Sequence, residues 1–307
     1  MAQGTLAVTG VDGFVGRHVA RLAVEGGWRV VGLSRAAEPD SELAPLLYDY
    51  HAGDLTRQWP ASLRADAVIH LAGLAAVGPS FDSPQEYIET NSAMVTLMCE
   101  AMLGWDAPPR LVGVSSGAVY SAGTRSQAID EGTSTEPTSP YVVSKLLVEQ
   151  QLAYYARRGI DTVIVRPFNH LGPGQRPGFL VPDLTTALRE LSPAEPMPSG
   201  NLASERDYTD VRDVAAAYLM LAGAPSHEHP VYNVCSGRAV AGHEMLSLVA
   251  SALRIPVPQT VVDPARVRAL DNPSITGSAA RLRSEYGWAP QIDLAQSIAD
   301  FVAASST

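Results

Sequence analysis

Cysteine is nearly absent from this sequence, with 2 residues in 307. Cys99 and Cys235 fall in a helix-like and a strand-like segment. They are too few for a disulfide framework or a cysteine metal centre and read as buried apolar thiols. Long hydrophobic runs are missing as well. No stretch approaches the ~20 apolar residues that span a bilayer, and Met1 leads into "TLAVTG" without a basic start or cleavage pattern. A cytoplasmic protein without membrane contact is expected. Positive charge is scarce: 22 Lys and Arg against 32 Asp and Glu leave a formal net charge of -10. That balance argues against an extended nucleic-acid or anionic-membrane surface, since each needs a basic face. An anionic small molecule would have to be met by arginines gathered locally in a pocket. His227-Glu228-His229 is the one dense run of metal-type ligands, and its Pro-flanked alternation reads as an exposed turn, so no metal is expected.

What the chain does have is alternation. Short β-branched runs ("TLAVTG", "WRVVGL", "DAVIHLA", "RLVGVSS", "DTVIVRPF", "PVYNVCSG") are separated by amphipathic stretches near 14–25, 85–104, 141–158 and 211–222. Strands alternating with helices predict an α/β fold whose parallel sheet is covered on both faces. After Phe168 the pattern gives way to "NHLGPGQRPGFLVPD" and "SPAEPMPSGNLASERD", rich in Gly, Pro and polar residues, as functional irregular segments are.

"VTGVDGFVGRH" sets Gly10, Gly13 and Gly16 directly after the first strand and at the opening of a helix. Glycines let the backbone turn tightly and approach a pyrophosphate, whose charge meets the helix N-terminus. The spacing is GxxGxxG, and its position between strand and helix makes this a Rossmann-type, doubly wound dinucleotide site. The second strand ends in Ser34-Arg35, where an NAD site would carry an acid for the ribose hydroxyls. An uncharged residue followed by a guanidinium suits a 2′-phosphate, so NADPH is the expected cofactor. Asp12 in the glycine loop would have to point away from that phosphate. Asp54 of "GDL", after the third strand, is placed to accept from an adenine amino group. The expected dinucleotide-binding domain is 1–169 with 206–238, and a smaller C-terminal substrate-binding lobe is 170–205 with 239–307.

"SPYVVSK" puts Lys145 four residues after Tyr141, on one helix face. A neighbouring ammonium is expected to lower the phenol pKa, making Tyr141 a usable proton donor and acceptor. "GVSSG", Gly113 to Gly117, also fits a nucleophile elbow with Ser115 as nucleophile, but such an elbow needs a helix directly after the serine, and "AVYSAGTRSQAIDEG" is loop-like.

Together with "HLAG" at His70 to Gly73, "RPFNHLGPG" from Arg166, "RDYTDVRDVAAAY" from Arg206 and "YGWAP" near the end, these elements resemble the extended short-chain dehydrogenase/reductase family of nucleotide-sugar enzymes. The resemblance implies that Ser116 holds the substrate oxygen, Tyr141 exchanges its proton, and Lys145 tunes Tyr141 and binds the nicotinamide ribose. It further implies cofactor contacts at Phe14, Val15, Leu55, Leu71, Ala72, Gly73, Asn91 and Pro167. Substrate contacts follow at Ser80, Asn169, Val181, Arg206 and Arg268, and a homodimer through the two long helices is the family expectation. Where the family's 4,6-dehydratases carry acids or a hydroxyl and an acid after the catalytic serine or threonine, this chain has Gly117 and Ala118, which can serve neither as acid nor as base. That leaves ketone reduction, or the reversible oxidation of a 4-epimerase. Within the family, "FNHLGPGQRPGF", "SERDYTDVRD" and "VYNVCSG" look most like the GDP-4-keto-6-deoxyhexose reductases that form GDP-D-rhamnose. Members of that group carry an acid near the position of Ala118, and this chain does not. A 4-epimerase retaining NAD, and a dinucleotide-binding sensor without turnover, are the rival readings; Tyr141, Lys145 and Ser116 together argue against the sensor.

Overall fold

The structure is a computed structural model that describes residues 4–121, 128–192, 195–266 and 274–305. Its centre is a parallel sheet of seven strands: β1 (Thr5–Thr9), β2 (Arg29–Ser34), β3 (Asp49–Ala52), β4 (Ala67–His70), β5 (Arg110–Val114), β6 (Thr162–Pro167) and, after intervening elements, β10 (Val231–Val234). The spatial order is β10-β6-β5-β4-β1-β2-β3, with every pair parallel. The order reverses between β1 and β4, which opens a crevice at the carboxyl ends of those two strands.

Side chains alternate across the strands, so each face buries its own set. Leu6, Val8, Val30 and Ile69 pack against α1 (Phe14–Glu25) and α6 (Val211–Gly223) through Val19, Ala23, Val214 and Leu221. Ala7, Val31, Val68 and Leu111 face the other way, against α3 (Pro84–Leu103) and α4 (Pro140–Arg157), whose Val95, Met98, Val148 and Leu152 close that layer. Cys99 and Cys235 lie inside these two layers and are free thiols. The short α2 (Val77–Ser80) precedes α3.

A third apolar cluster is built from later segments. It joins β7 (Asn169–Leu171), α5 (Leu180–Glu190), β8 (Met197–Ser199), β11 (Ala239–Ala241), α7 (Gly242–Leu253) and α9 (Leu294–Ala304) through Leu171, Leu184, Met197, Val240, Val249 and Phe301. β9 (Glu205–Asp210) pairs with β7, β11 and β13 (Ser274–Ile275), while β8 pairs with β12 (Thr260–Val262). α5 lies in a stretch whose glycines and prolines suggest loop. Gly174 and Gly178 do take positive φ just before it, but Val181, Leu184, Thr185 and Leu188 then recur at helical spacing and are buried. Asp183 accepts from the Gly178 amide at 2.8 Å, which closes the turn into the helix. α8 (Ala280–Tyr286) packs beside β10, with Leu282 and the following Trp288 in the core of the large sheet. No helix among the described residues is long and apolar enough to cross a membrane.

Candidate active site

The crevice begins at the glycine loop. Gly10 leaves β1 at φ +67°, a left-handed conformation that L side chains rarely adopt, and a Cβ there would stand 3.0 Å from the Ala72 amide. A Cβ on Gly16 would stand 2.3 Å from the Gly10 carbonyl oxygen, so the first turn of α1 can approach the loop only as glycine. Gly13 is the N-cap of α1 and makes no side-chain cap, and no acid lies in the first turn. The uncapped amides therefore face the crevice as a ready anion cradle. Phe14 stacks on His170 (centroids 6.0 Å apart) and His18 hydrogen-bonds the Pro173 carbonyl at 2.9 Å, tying this helix to the segment after β7. Neither histidine carried a recognisable signal in the sequence.

Around the loop, Val15 is half-buried, Leu55 is buried, and Leu71 and Ala72 each donate a backbone amide to Thr9 Oγ1 at 3.1 Å. Ser34 is buried at the end of β2, and Arg35 beyond it is exposed with no hydrogen bond or ion pair among the described residues. Arg17 carries Asp40 on its fork and holds that carboxyl down at about 2. Asp54 accepts from the Thr56 amide and hydroxyl through one oxygen and faces Arg57 with the other, so its carboxylate is held within its own turn. Asn91 is buried and bonded to the Leu74 amide, the Leu74 carbonyl and Ser144, which fastens the Gly73 segment onto α4.

The two candidate hydroxyls come from the end of β5 and from α4. Ser116 leaves the end of β5 and caps the turn over Gly117–Val119, accepting from the Ala118 amide at 3.1 Å. Tyr141, in the first turn of α4, is 7 % exposed, with Ser116 close enough to act on its hydroxyl. Burial raises its pKa above the ordinary phenol value, with Ser116 opposing. The expected lowering by Lys145 is thus corrected: burial sets the direction upward, and the ammonium lies 5.9 Å from the ring centroid, donating to the Val114 carbonyl at 3.0 Å. Burial pulls Lys145 down to about 8, with Glu149 opposing. His70, packed between Thr9 and that ammonium, is pushed by burial to about 3 and stays neutral. Lys145 is also the only lysine in the chain, arginine supplying every other basic side chain, a sign plainly visible in the sequence that went unused.

Ser115 is no nucleophile. It is 2 % exposed and donates to Glu149 at 2.5 Å, with a short 3-10 turn rather than a helix after Ser116. Gly117 packs closely, since a Cβ there would stand 3.0 Å from the Phe168 ring, which would have to shift by a few tenths of an ångström. Ala118 is exposed beside it. Pro167 ends β6 in the buried edge of the crevice. Asn169 is exposed and donates to the Asp207 carbonyl at 3.4 Å, and Arg206 donates to the Glu205 carbonyl at 2.7 Å. Asp207 gives its own carboxylate to the Ser236, Gly237 and Gly277 amides. Ser80 is fully buried with its hydroxyl on the Val77 carbonyl, and Val181 is 1 % exposed in the third cluster. Both side chains are turned into the protein. Arg268 lies outside the described residues. His227 bonds Asp161, while Glu228, His229 and Glu285 sit close together. Glu285 already accepts from the Glu228 amide and from the Tyr232 hydroxyl.

A doubly wound sheet with a glycine cradle at its switch point, and a serine, a tyrosine and a lysine converging at the next strand end, define a dinucleotide-dependent class of enzyme. The profile of the NAD dependent epimerase/dehydratase family matches residues 6–235, and the chain belongs to that family. It is 32% identical over 303 residues to GDP-6-deoxy-D-mannose reductase of Pseudomonas aeruginosa, covering 95% of this chain and 94% of the relative. The structure of RMD from Pseudomonas aeruginosa complexed with NADPH matches 99% of this chain and 100% of its own at TM-score 0.81 and 30% identity. The UDP-glucose 4-epimerase of Thermus thermophilus in complex with NAD matches 98% of each chain at TM-score 0.84 and 26% identity.

Proposed function

We propose that the protein reduces the 4-keto group of a nucleotide-linked 4-keto-6-deoxyhexose with NADPH, GDP-4-keto-6-deoxy-D-mannose giving GDP-D-rhamnose being the first candidate. The observation that carries this reading is the Ser116–Tyr141 pair standing beside Gly117 and Ala118: one proton donor, one hydroxyl to steady an oxygen, and no second acid for elimination. A phenol whose pKa is raised by burial keeps its proton at neutral pH, as a donor to a ketone must. Similarity to the reductase of Pseudomonas aeruginosa supports the choice of reaction and of GDP.

The glycine loop fits a dinucleotide, since Gly10 and Gly16 leave a cradle that any Cβ would fill. Gly10, Gly13, Phe14, Val15 and Gly16 would hold its pyrophosphate, Ser34 and Arg35 the 2′-phosphate, and Leu71 to Gly73 and Pro167 would line its path. Bound NADPH supplies the hydride to carbon 4. Ser116 holds the carbonyl oxygen, Tyr141 Oη gives it a proton as negative charge develops, and Lys145 offers its ammonium to the ribose side of the phenol. Asn169 and Arg206 would meet the diphosphate, and Arg268, outside the described residues, would complete that set. On this reading 1–169 with 206–238 serve the cofactor and 170–205 with 239–307 the sugar nucleotide. Val143, Leu147 and Tyr154 are exposed apolar residues along α4 and support a homodimer through α3 and α4.

The test follows absorbance at 340 nanometres with NADPH or NADH and GDP-4-keto-6-deoxymannose generated in place. Consumption that prefers NADPH and disappears in Tyr141→Phe supports the reductase. Silence with both cofactors overturns it, and a panel of nucleotide sugars then tests the 4-epimerase with retained NAD.

A further inference from the structure

Behind the reacting pair lies a buried ion pair that the reaction itself does not use. Tyr141, Lys145 and Glu149 follow one another at four-residue steps along one side of α4. Glu149 accepts from Ser115 Oγ at 2.5 Å and Arg166 Nε at 2.8 Å through one oxygen, and from Arg166 Nη2 at 2.6 Å through the other. The two charged side chains are 6% and 9% exposed. Ser115 directly precedes Ser116, and Arg166 directly precedes Pro167. The Arg166 guanidinium also lies 4.8 Å over the Tyr120 ring, whose hydroxyl donates to Asn233 on β10 at 2.6 Å.

A buried ion pair is weak evidence for stability, because desolvation offsets much of the attraction. Its placement is informative instead. It joins α4 to β5 and β6 at the residues next to those that line the crevice.

We propose that the Ser115–Glu149–Arg166 unit is a positioning element of this site. It holds α4 against β5 so that Ser116 and Tyr141 stay in register, and its carboxylate is the negative charge facing the Lys145 ammonium. The other groups around that ammonium are Tyr141 on α4, His70 on β4, Asn91 on α3 and the Val114 carbonyl on β5. None of them carries negative charge at neutral pH. Arg166 on β6 is the cation paired with Glu149, so removing the carboxylate also leaves that guanidinium without its partner.

This inference builds on the reading of Tyr141 and Lys145 as the working pair, but its test needs no substrate. Protein grown on lysine labelled with carbon-13 at Cε gives one lysine signal, because Lys145 is the only lysine. Its chemical shift is followed against pH in the full chain. The wild-type midpoint is expected near 8. Glu149→Gln should lower it by about one pH unit or more, and Glu149→Asp should restore most of the shift by returning the charge. A folded Glu149→Gln protein with an unchanged midpoint overturns the proposal.

Should Glu149→Gln fail to fold, Glu149→Gln/Arg166→Gln removes both charges and keeps two hydrogen-bonding amides. A smaller downward shift is expected there, because the cation leaves with the anion, and an unchanged midpoint again refutes the role. In turnover, Ser115→Ala leaves the charge in place but loosens the β5 side. It should lower kcat about tenfold with the KM for NADPH unchanged. If no keto sugar is reduced while the titration shifts as stated, the substrate assignment fails and the positioning role stands.

Discussion

Gly16→Ala is the sharpest test of the cradle, because the structure supplies the distances. The added Cβ would stand 2.3 Å from the Gly10 carbonyl oxygen and 2.8 Å from the Val11 backbone. Ordinary contact begins near 3.4 Å, and both neighbours are backbone, so neither can swing aside. The loop or the first turn of α1 has to move by about an ångström. Overpacking of this kind costs about 1–3 kcal/mol, and for a chain of this size that lowers Tm by roughly 2 to 5 °C. The same displacement turns the uncapped amides away from a bound pyrophosphate, and NADPH affinity should fall about tenfold or more. Gly53→Ala is the control, since a Cβ there meets nothing within 4 Å. Thermal unfolding and quenching of protein fluorescence by NADPH read both effects. A Gly16→Ala protein that keeps the Tm and the NADPH affinity of the Gly53→Ala control refutes the cradle.

Three further outcomes follow from the same site. Tyr141→Phe removes the proton donor and should lower kcat about 100- to 10,000-fold with the Kd for NADPH little changed, read by stopped-flow and by binding. Arg35→Ala should weaken NADPH about ten- to a hundredfold and leave NADH unaffected, and equal loss for both would remove the 2′-phosphate role. Lys145→Met should abolish turnover yet raise stability at pH 7 by up to about 3 kcal/mol, because burial of the ammonium opposes folding. The sign follows from a folded pKa of about 8 below the ordinary 10.5: the unfolded chain binds more protons between these values, so the wild type gains stability as pH rises through that window. The advantage of Lys145→Met should therefore fade from pH 8 upward, and denaturation curves at pH 7 and 10 check it.

Much of this protein was legible in the order of its residues. Strand spacing is local, and so are the glycines after β1 and the four-residue step from Tyr141 to Lys145. Each needs only short-range sterics or helix geometry to be recognised. α5 was obscured because the prolines and glycines around it are loop signals, and only burial of Val181, Leu184 and Leu188 against the third cluster decides for helix. The burial of Ser80 and Val181 was not legible either, because a motif position does not say which way a side chain turns.

The chain's order alone settled the parallel sheet and the glycine turn at its switch point, and it marked Ser116, Tyr141 and Lys145 as candidates, since periodicity and spacing carry those features. Tertiary packing alone decided the direction of the Tyr141 shift, the withdrawal of Ser115 into the Glu149–Arg166 pair, and the close fit of Gly117 beneath Phe168. Those depend on burial and on contacts between residues far apart in the chain, and neither solvent exclusion nor long-range contact is written in any local pattern.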